Sequence, residues 1–262
     1  MRIADILDTV DAAIQQTGQL IAKLKQVKAG LLHDLLTRGL DEHGNLRDPE
    51  VHPEQFKVVD GYGRVPKDWE FVQIKDIAVQ VTDGDHHTPQ RSESGILLLS
   101  ARNVLNGVLD LTDVDYVPKS EYLRMIKRCH PEAGDILISC SGTVGRVCAV
   151  PEGLRFALVR SVALIKFYDS RINSRYAEWV LRSNIVQSQI IASQRQAAQP
   201  NLFQGPIKDL FLPLPSILEQ QTIVEILDGN ESRIRAEEAY RDKLQAIKQG
   251  LMHDLLTGKV RV

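Results

Sequence analysis

The two ends of the chain are copies of one another. Laid together without a gap, each N-terminal position meets the residue 220 places later, so that Ile3, Ile6, Leu7, Asp8 and Ile14 meet Ile223, Ile226, Leu227, Asp228 and Ile234. Further on, Gly30-Leu31-Leu32-His33-Asp34-Leu35-Leu36-Thr37 meets Gly250-Leu251-Met252-His253-Asp254-Leu255-Leu256-Thr257. Two copies of one element therefore bracket a non-repeated middle. In the first copy apolar residues recur three and four apart (Ile3, Leu7, Val10, Ile14, Ile21, Leu24, Val27, Leu31, Leu35), the spacing of one long helix whose seam buries against another helix. The second copy keeps the stripe in Ile223, Leu227, Ile234, Leu244, Ile247, Leu251 and Leu255 but sets Asn230, Glu237 and Arg241 on it, where polar residues can fix register. Its start is marked by Pro213-Leu214-Pro215, which ends an extended segment, and by Ser216-Ile217-Leu218-Glu219, which has capping-box spacing. Gly39 and Gly258 follow the Leu-Leu-Thr runs as helix stops. A lone apolar stripe reads as ordinary bundle core; a matched pair at both ends, each about 36 residues and ~54 Å long at ~1.5 Å per residue, reads as a spacer.

Composition narrows the class. With 262 residues, 43% hydrophobic and 25% charged, the chain has the make-up of a soluble globular protein. No run approaches the ~20 apolar residues of a membrane span, and the N-terminus carries Asp5 and Asp8 and no small-residue cleavage site, so a cytoplasmic location is expected. Cys129, Cys140 and Cys148 are odd in number and lack C-x-x-C spacing, which fits reduced thiols in a strand-rich core. The formal net charge of -2 excludes both a strongly basic DNA coater and a strongly acidic DNA mimic.

Between the repeats, residues 41–64 are polar and glycine-containing and read as a linker. Beyond them, β-rich runs at 96–100, 104, 108–111, 135–139, 147–150 and 161–167 alternate with turns, and helical patterns occupy 174–182 and 185–191. The expected organisation is a helix over 1–40, a linker over 41–64, a compact mixed α/β domain over 65–215 and a helix over 216–262. The fold class is α+β, a globular domain flanked by two long antiparallel coiled-coil helices.

Four landmarks occur in order: Val65-Pro66-Lys67-Asp68-Trp69; Gly134-Asp135-Ile136-Leu137-Ile138-Ser139; Gly142-Thr143-Val144-Gly145; and Leu212-Pro213-Leu214-Pro215 with Glu219-Gln220-Gln221. Each is weak alone. In this order, with the repeat, they resemble the specificity subunit of Type I restriction-modification systems, and the resemblance covers nearly the whole chain. It implies a target-recognition domain at 65–215 and conserved spacers at the two ends. The usual member has two recognition domains and two spacers, so a half-length form with one domain is expected here. The resemblance also implies double-stranded DNA, a methylation subunit and, through the complex, a restriction subunit as partners. Catalysis, S-adenosylmethionine, ATP and magnesium would belong to those partners, and the chain itself would carry no cofactor.

The residues agree with a non-catalytic role. There is no Asn/Asp-Pro-Pro-aromatic run, no G-x-G-x-x-G and no G-x-x-x-x-G-K-[ST] loop. His86 and His87 beside Asp83 and Asp85 could be imagined as a metal cluster, but adjacent loop side chains rarely converge on one ion without a distant ligand, so no metal site is expected. DNA reading needs donors and acceptors for base edges on a rigid scaffold, plus donors for phosphates. Candidates are Asp85, His86, His87, Thr88, Gln90 and Arg91 in a first polar loop, Arg102 and Asn103 in a second, and Ser141, Thr143 and Arg146 in a third, glycine-rich one. Arg160 and the group Gln194, Arg195, Gln196, Gln199 and Asn201 complete the set. Each of these is also plain turn or surface chemistry, and Arg124, Lys127 and Arg128 read as a solvated face. The alternatives are a coiled-coil adaptor whose middle domain binds protein, and a stand-alone DNA-modifying enzyme. A self-associating chain would present two identical readers, so its target should be an interrupted palindrome.

Overall fold

The computed structural model describes residues 3–167, 170–196, 201–202 and 204–260. The chain opens with α1 (Ile3–Thr37), followed by β1 (Phe56–Val59), β2 (Gly63–Pro66), β3 (Glu70–Gln73), the single turn α2 (Ile74–Ile77) and β4 (Gln80–Asp83). Next come β5 (Ile96–Leu99), β6 (Val104–Leu105), β7 (Val108–Leu109), β8 (Asp115–Val117) and α3 (Lys119–Met125). The strands β9 (Ile136–Ser139), β10 (Val147–Ala149), β11 (Phe156–Leu158) and β12 (Val162–Lys166) precede α4 (Ser174–Arg182), α5 (Asn184–Gln196) and α6 (Gln204–Lys208). The chain closes with β13 (Phe211–Leu214) and α7 (Ile217–Leu256). It divides into two compact units, one of residues 1–34 with 225–262 and one of residues 35–224.

The first unit is the helix pair that the repeat predicts. Asp11 meets Lys248 at 2.7 Å, Lys25 meets Glu238 at 2.6 Å and Lys28 meets Glu231 at 2.7 Å. The partner's number falls as the first helix advances, so the pair is antiparallel. The repeat carries Asp11 onto Glu231 and Lys28 onto Lys248; the Lys28–Glu231 and Lys248–Asp11 bridges are therefore one interaction made twice, related by a local pseudo-two-fold. Ile21, Leu24, Leu227, Ile234 and Leu255 are buried along the seam. Val27 and Ile247, read as seam residues, are instead each 43% exposed and are repeat mates of each other. The strict 3-4 spacing drifts around a helix of 3.6 residues per turn, and a two-helix pair covers less of each helix than a bundle would. Arg241 pairs with its neighbour Asp242 rather than across the seam, so register rests on the interhelical ion pairs. Asn230, the mate of Val10, has a buried Oδ1 without a hydrogen-bond partner among the described residues.

The core of the second unit lies between its two largest sheets. One has the order β10-β9-β12-β4, all antiparallel; the other, β11-β5-β8, pairs β11 with β5 in parallel. Leu137, Cys148, Val162 and Leu164 of the first sheet meet Leu99, Phe156 and Leu158 of the second in one core. Outside the second sheet, α3 lays Tyr122 and Met125 on Leu98, Val117 and Ala157. Outside the first, α4 contacts β9 and β10, and α6 contacts β4. The first sheet is thus covered on both faces, which is why Ile136–Ser139 and Val162–Lys166 are buried at every position instead of alternating. The three cysteines lie buried and unpaired in this unit, and burial pushes each thiol up to about 12.

The segment 41–64 is more ordered than a linker. Leu40 bridges Leu46, a short 3-10 turn occupies Pro53–Gln55, and β1 and β2 form an antiparallel hairpin that buries Phe56 and Val65. Its Gly61-Tyr62-Gly63 is the hairpin turn, with both glycines at positive φ. The landmark motifs meet nearby. Glu219 accepts from the Leu40 amide (2.7 Å), Arg47 Nη1 (2.9 Å) and Trp69 Nε1 (3.1 Å), while the next residue, Gln220, accepts from Asn173 N and donates to Arg171 O and Pro215 O. Gly39 sits against this knot at φ +66°, and a Cβ there would lie 2.4 Å from Glu219 Oε1 and 2.5 Å from Trp69 Cζ2, so only glycine fits.

Candidate nucleic-acid interface

The two ends of the four-stranded sheet differ in chemistry. At one end Lys166, at the close of β12, is ion-paired with buried Asp135, which precedes β9, and with Glu132. That end is sealed by internal charge pairing. At the other end β4 finishes at Asp83, β9 finishes at Ser139, and β12 and β10 begin at Val162 and Val147; the registers Asp83↔Ala163, Ser139↔Val162 and Ile138↔Val147 set these points side by side. The polar loops 84–91, 140–146 and 159–161 therefore leave the sheet together.

Backbone hydrogen bonds fasten them to one another. Arg160 N donates to Asp85 O (3.0 Å), Cys140 N to Ser161 O (2.8 Å) and Leu202 N to Cys140 O (2.9 Å), while Ala101 N donates to Ser161 Oγ (3.0 Å). The second loop, Leu202 and Gln204 thus join the same edge. Gly84 is what lets β4 leave against β11: a Cβ there would stand 2.3 Å from Leu158 O. Held this way, Asp83, His86, Cys140, Ser141, Arg160, Ala163, Asn201, Leu202 and Gln204 line a recess of about 270 Å³.

Asp83 organises that recess. Arg128 donates to its Oδ1 at 2.7 Å, Gln204 donates to the same oxygen, and His86 Nε2 lies 2.7 Å from Oδ2, necessarily as donor to an ionised carboxylate. Burial raises the Asp83 pKa, but these hydrogen bonds outweigh it and hold the group below the ordinary carboxylate range. Beside it Asp85 is buried and ion-paired with Arg124, and it accepts from the His87 amide at 3.0 Å. Burial again opposes its ionisation, and the His87 amide and Arg124 overcome that effect. Arg124 and Arg128 are therefore not a free solvated face: from α3 and the turn after it they clasp the first loop by its two aspartates.

The other predicted residues divide by surroundings. His86, Ser141, Arg160 and Asn201 come together at the recess, and His87, Thr88, Gln90 and Thr143 are exposed in the loops around it. Asp85 and Asn103 face inward. Asn103 accepts from Ser100 N and donates to Asp110 O and Asp113 O, which leaves its amide no free position for a base. Arg91 and Arg102 are ion-paired with Asp115, at 3.4 and 3.2 Å. Arg146 is half-buried, and its amide donates to Ser139 Oγ. Gln194, Arg195 and Gln196 lie on the last turn of α5 rather than in a loop, and Gln199 falls outside the described residues. Of the residues that organise the recess, Gln204 carries no signal in the sequence, Arg128 reads there as a solvated face, and Asp83 stands out only in the first polar loop beside the two histidines. Among the described residues no group of three or more His, Cys, Asp or Glu side chains is placed to hold a metal ion, and no helix is long and apolar enough to cross a membrane.

Comparison with known proteins bears on this arrangement. Residues 66–246 match the family described as "Type I restriction modification DNA specificity domain". The chain is 24% identical over 269 residues to the type I restriction enzyme MjaVIII specificity subunit of Methanocaldococcus jannaschii, an alignment covering 100% of this chain and 60% of the relative. It is 25% identical over 243 residues to the EcoBI specificity subunit of Escherichia coli, covering 91% and 48%. In structure it resembles the S subunit of a Type-I restriction-modification system from M. genitalium (TM-score 0.60, 14% identity, 95% of this chain and 58% of that one). It also resembles the HsdS subunit from Thermoanaerobacter tengcongensis (TM-score 0.56, 14% identity, 96% and 55%). The chain spans about half the length of the curated relatives it matches.

Proposed function

The chain belongs to the Type I restriction modification DNA specificity domain family, and on that premise we propose that it reads a DNA sequence without itself performing chemistry, directing partner subunits to the site. The observation that carries this reading is the convergence of four polar loops at one end of a rigid, doubly covered sheet. Base readout needs a few donors and acceptors fixed to a fraction of an ångström, and loops bonded to one another through their backbones provide that fixity. The ion-paired arginines and inward-facing Asn103 keep the loops in place, while Ser141, Arg160 and Asn201 remain to meet a duplex.

The natural partners on this reading are double-stranded DNA, a methylation subunit and, through it, a restriction subunit. S-adenosylmethionine, ATP and magnesium act on those partners, in the cytoplasm. The coil offers equivalent ends, since Lys28–Glu231 and Lys248–Asp11 repeat one contact. Two copies working together would present two identical readers and select an interrupted palindrome. Mapping the sites methylated with this chain as the sole specificity subunit tests this: a two-part motif with identical, inverted halves is expected. An asymmetric motif refutes the pairing of copies, and failure of the purified chain to select any motif from a random duplex pool refutes DNA reading.

A further inference from the structure

Among the described residues the arginines at the interface divide sharply. Arg91 and Arg102 are spent on Asp115, Arg124 on Asp85 and Glu121, and Arg128 on Asp83. Arg160 has no carboxylate partner and projects from the β11–β12 turn, whose backbone is fixed on both sides by Arg160 N to Asp85 O and by Cys140 N to Ser161 O. It lines the same recess as Asp83, opposite whose Cα stands Ala163, three residues further along from Arg160. The Asp83 carboxylate has about four lone-pair positions. Arg128 and Gln204 fill those of Oδ1 and His86 takes one of Oδ2, leaving one acceptor position on Oδ2.

A rigidly based, unpaired guanidinium beside a carboxylate with one free acceptor position does not suit a phosphate, which the carboxylate would repel. It does suit an edge that offers both acceptors and a donor. In the major groove guanine presents O6 and N7 as acceptors, and its paired cytosine presents the N4 amine as donor. We propose that Arg160 and Asp83 together read one G·C base pair, Arg160 donating to guanine O6 and N7 and Asp83 Oδ2 accepting from cytosine N4. Arg128, His86 and Gln204 act as positioning residues that hold Asp83 in place. This inference rests on the DNA-reading function proposed above and names two of the residues that set its specificity.

The test is selection from a random-sequence duplex pool by the full chain, repeated with Arg160→Ala and with Asp83→Asn. Both variants should lose the preference at the same G·C position and keep the rest of the motif, with affinity for the wild-type site falling about tenfold. Replacing the guanine at that position by 7-deazaguanine should weaken the wild type by a similar factor and leave Arg160→Ala unmoved. Arg160 is exposed, so its variant should melt like the wild type, and the 7-deazaguanine measurement stands even where Asp83→Asn disturbs the loop. Three results overturn the inference: variants that relax different positions, an unchanged motif, or Arg160→Ala weakening all sequences alike with a shallower salt dependence, as a phosphate contact would. A wild-type chain that selects no motif overturns the function proposed above as well, and so is distinguishable from these.

Discussion

Glu219 bonds to three parts of the chain that are distant in sequence, and at 8% side-chain exposure its charge depends on Arg47 for compensation. Removing it in Glu219→Ala leaves a buried indole N–H and the Leu40 amide without their acceptor, and leaves the nearly buried Arg47 guanidinium only the exposed Asp68 carboxylate. A loss of about 3 kcal/mol of unfolding free energy is expected in urea titration, the scale of a broken buried pair. Asp85 has a pH signature. Its pKa is lower folded than unfolded, so its contribution is complete above about pH 4 and is lost as pH falls through the folded value. Stability measured against pH should fall less steeply in this acid range for Asp85→Asn than for the wild type, though the variant starts lower at neutral pH. The sequence identified the polar loops but not which of their residues face inward. Asn103 and Asp85 look like His86 or Asn201 in a string of letters. Short polar side chains in turns bond their own neighbouring backbone when the turn geometry allows it, and only the packed loop reveals which have done so. Asp83, Arg128 and Gln204 were out of reach for another reason: their meeting joins positions far apart in the chain.

For the helix pair, the predicted change is at Asn230. Its side-chain oxygen is buried and without a partner among the described residues where the first copy has Val10, a cost of about 1 kcal/mol or more. Asparagine and valine have similar helix propensities, so Asn230→Val should stabilise the pair by about 1 kcal/mol, seen as a higher midpoint in thermal unfolding. An unchanged or lower midpoint would show that the asparagine is satisfied in solution. The long helices were legible because their period persists over many turns and occurs twice. The β1–β2 hairpin was not, because four-residue strands among Pro, Gly and Asp resemble loop. The exposure of Val27 and Ile247 was hidden too, since periodicity marks a face without giving the width that a partner covers.

At the scale of the whole molecule, 32 basic residues against 34 acidic ones leave no general attraction to a polyanion. Binding must come from local donors, and the arginines of the interface region without a carboxylate partner among the described residues are Arg146, Arg160 and Arg195. With Arg160 directed to a base, about two neutralised phosphates remain and would give a slope near -2 for log K against log salt. Anisotropy titrations across a salt series should return that modest slope; a slope near -8 would mean a cationic surface that the interface described above lacks. The three cysteines have a practical consequence. All are buried within the globular unit, Cys140 against the recess and Cys129 and Cys148 away from it, and the helix pair has none. An alkylating reagent should therefore reach Cys129 and Cys148 only during transient openings of the globule, so the rate of mass gain at those two thiols under iodoacetamide becomes a clock for those openings, blind to fraying of the helices.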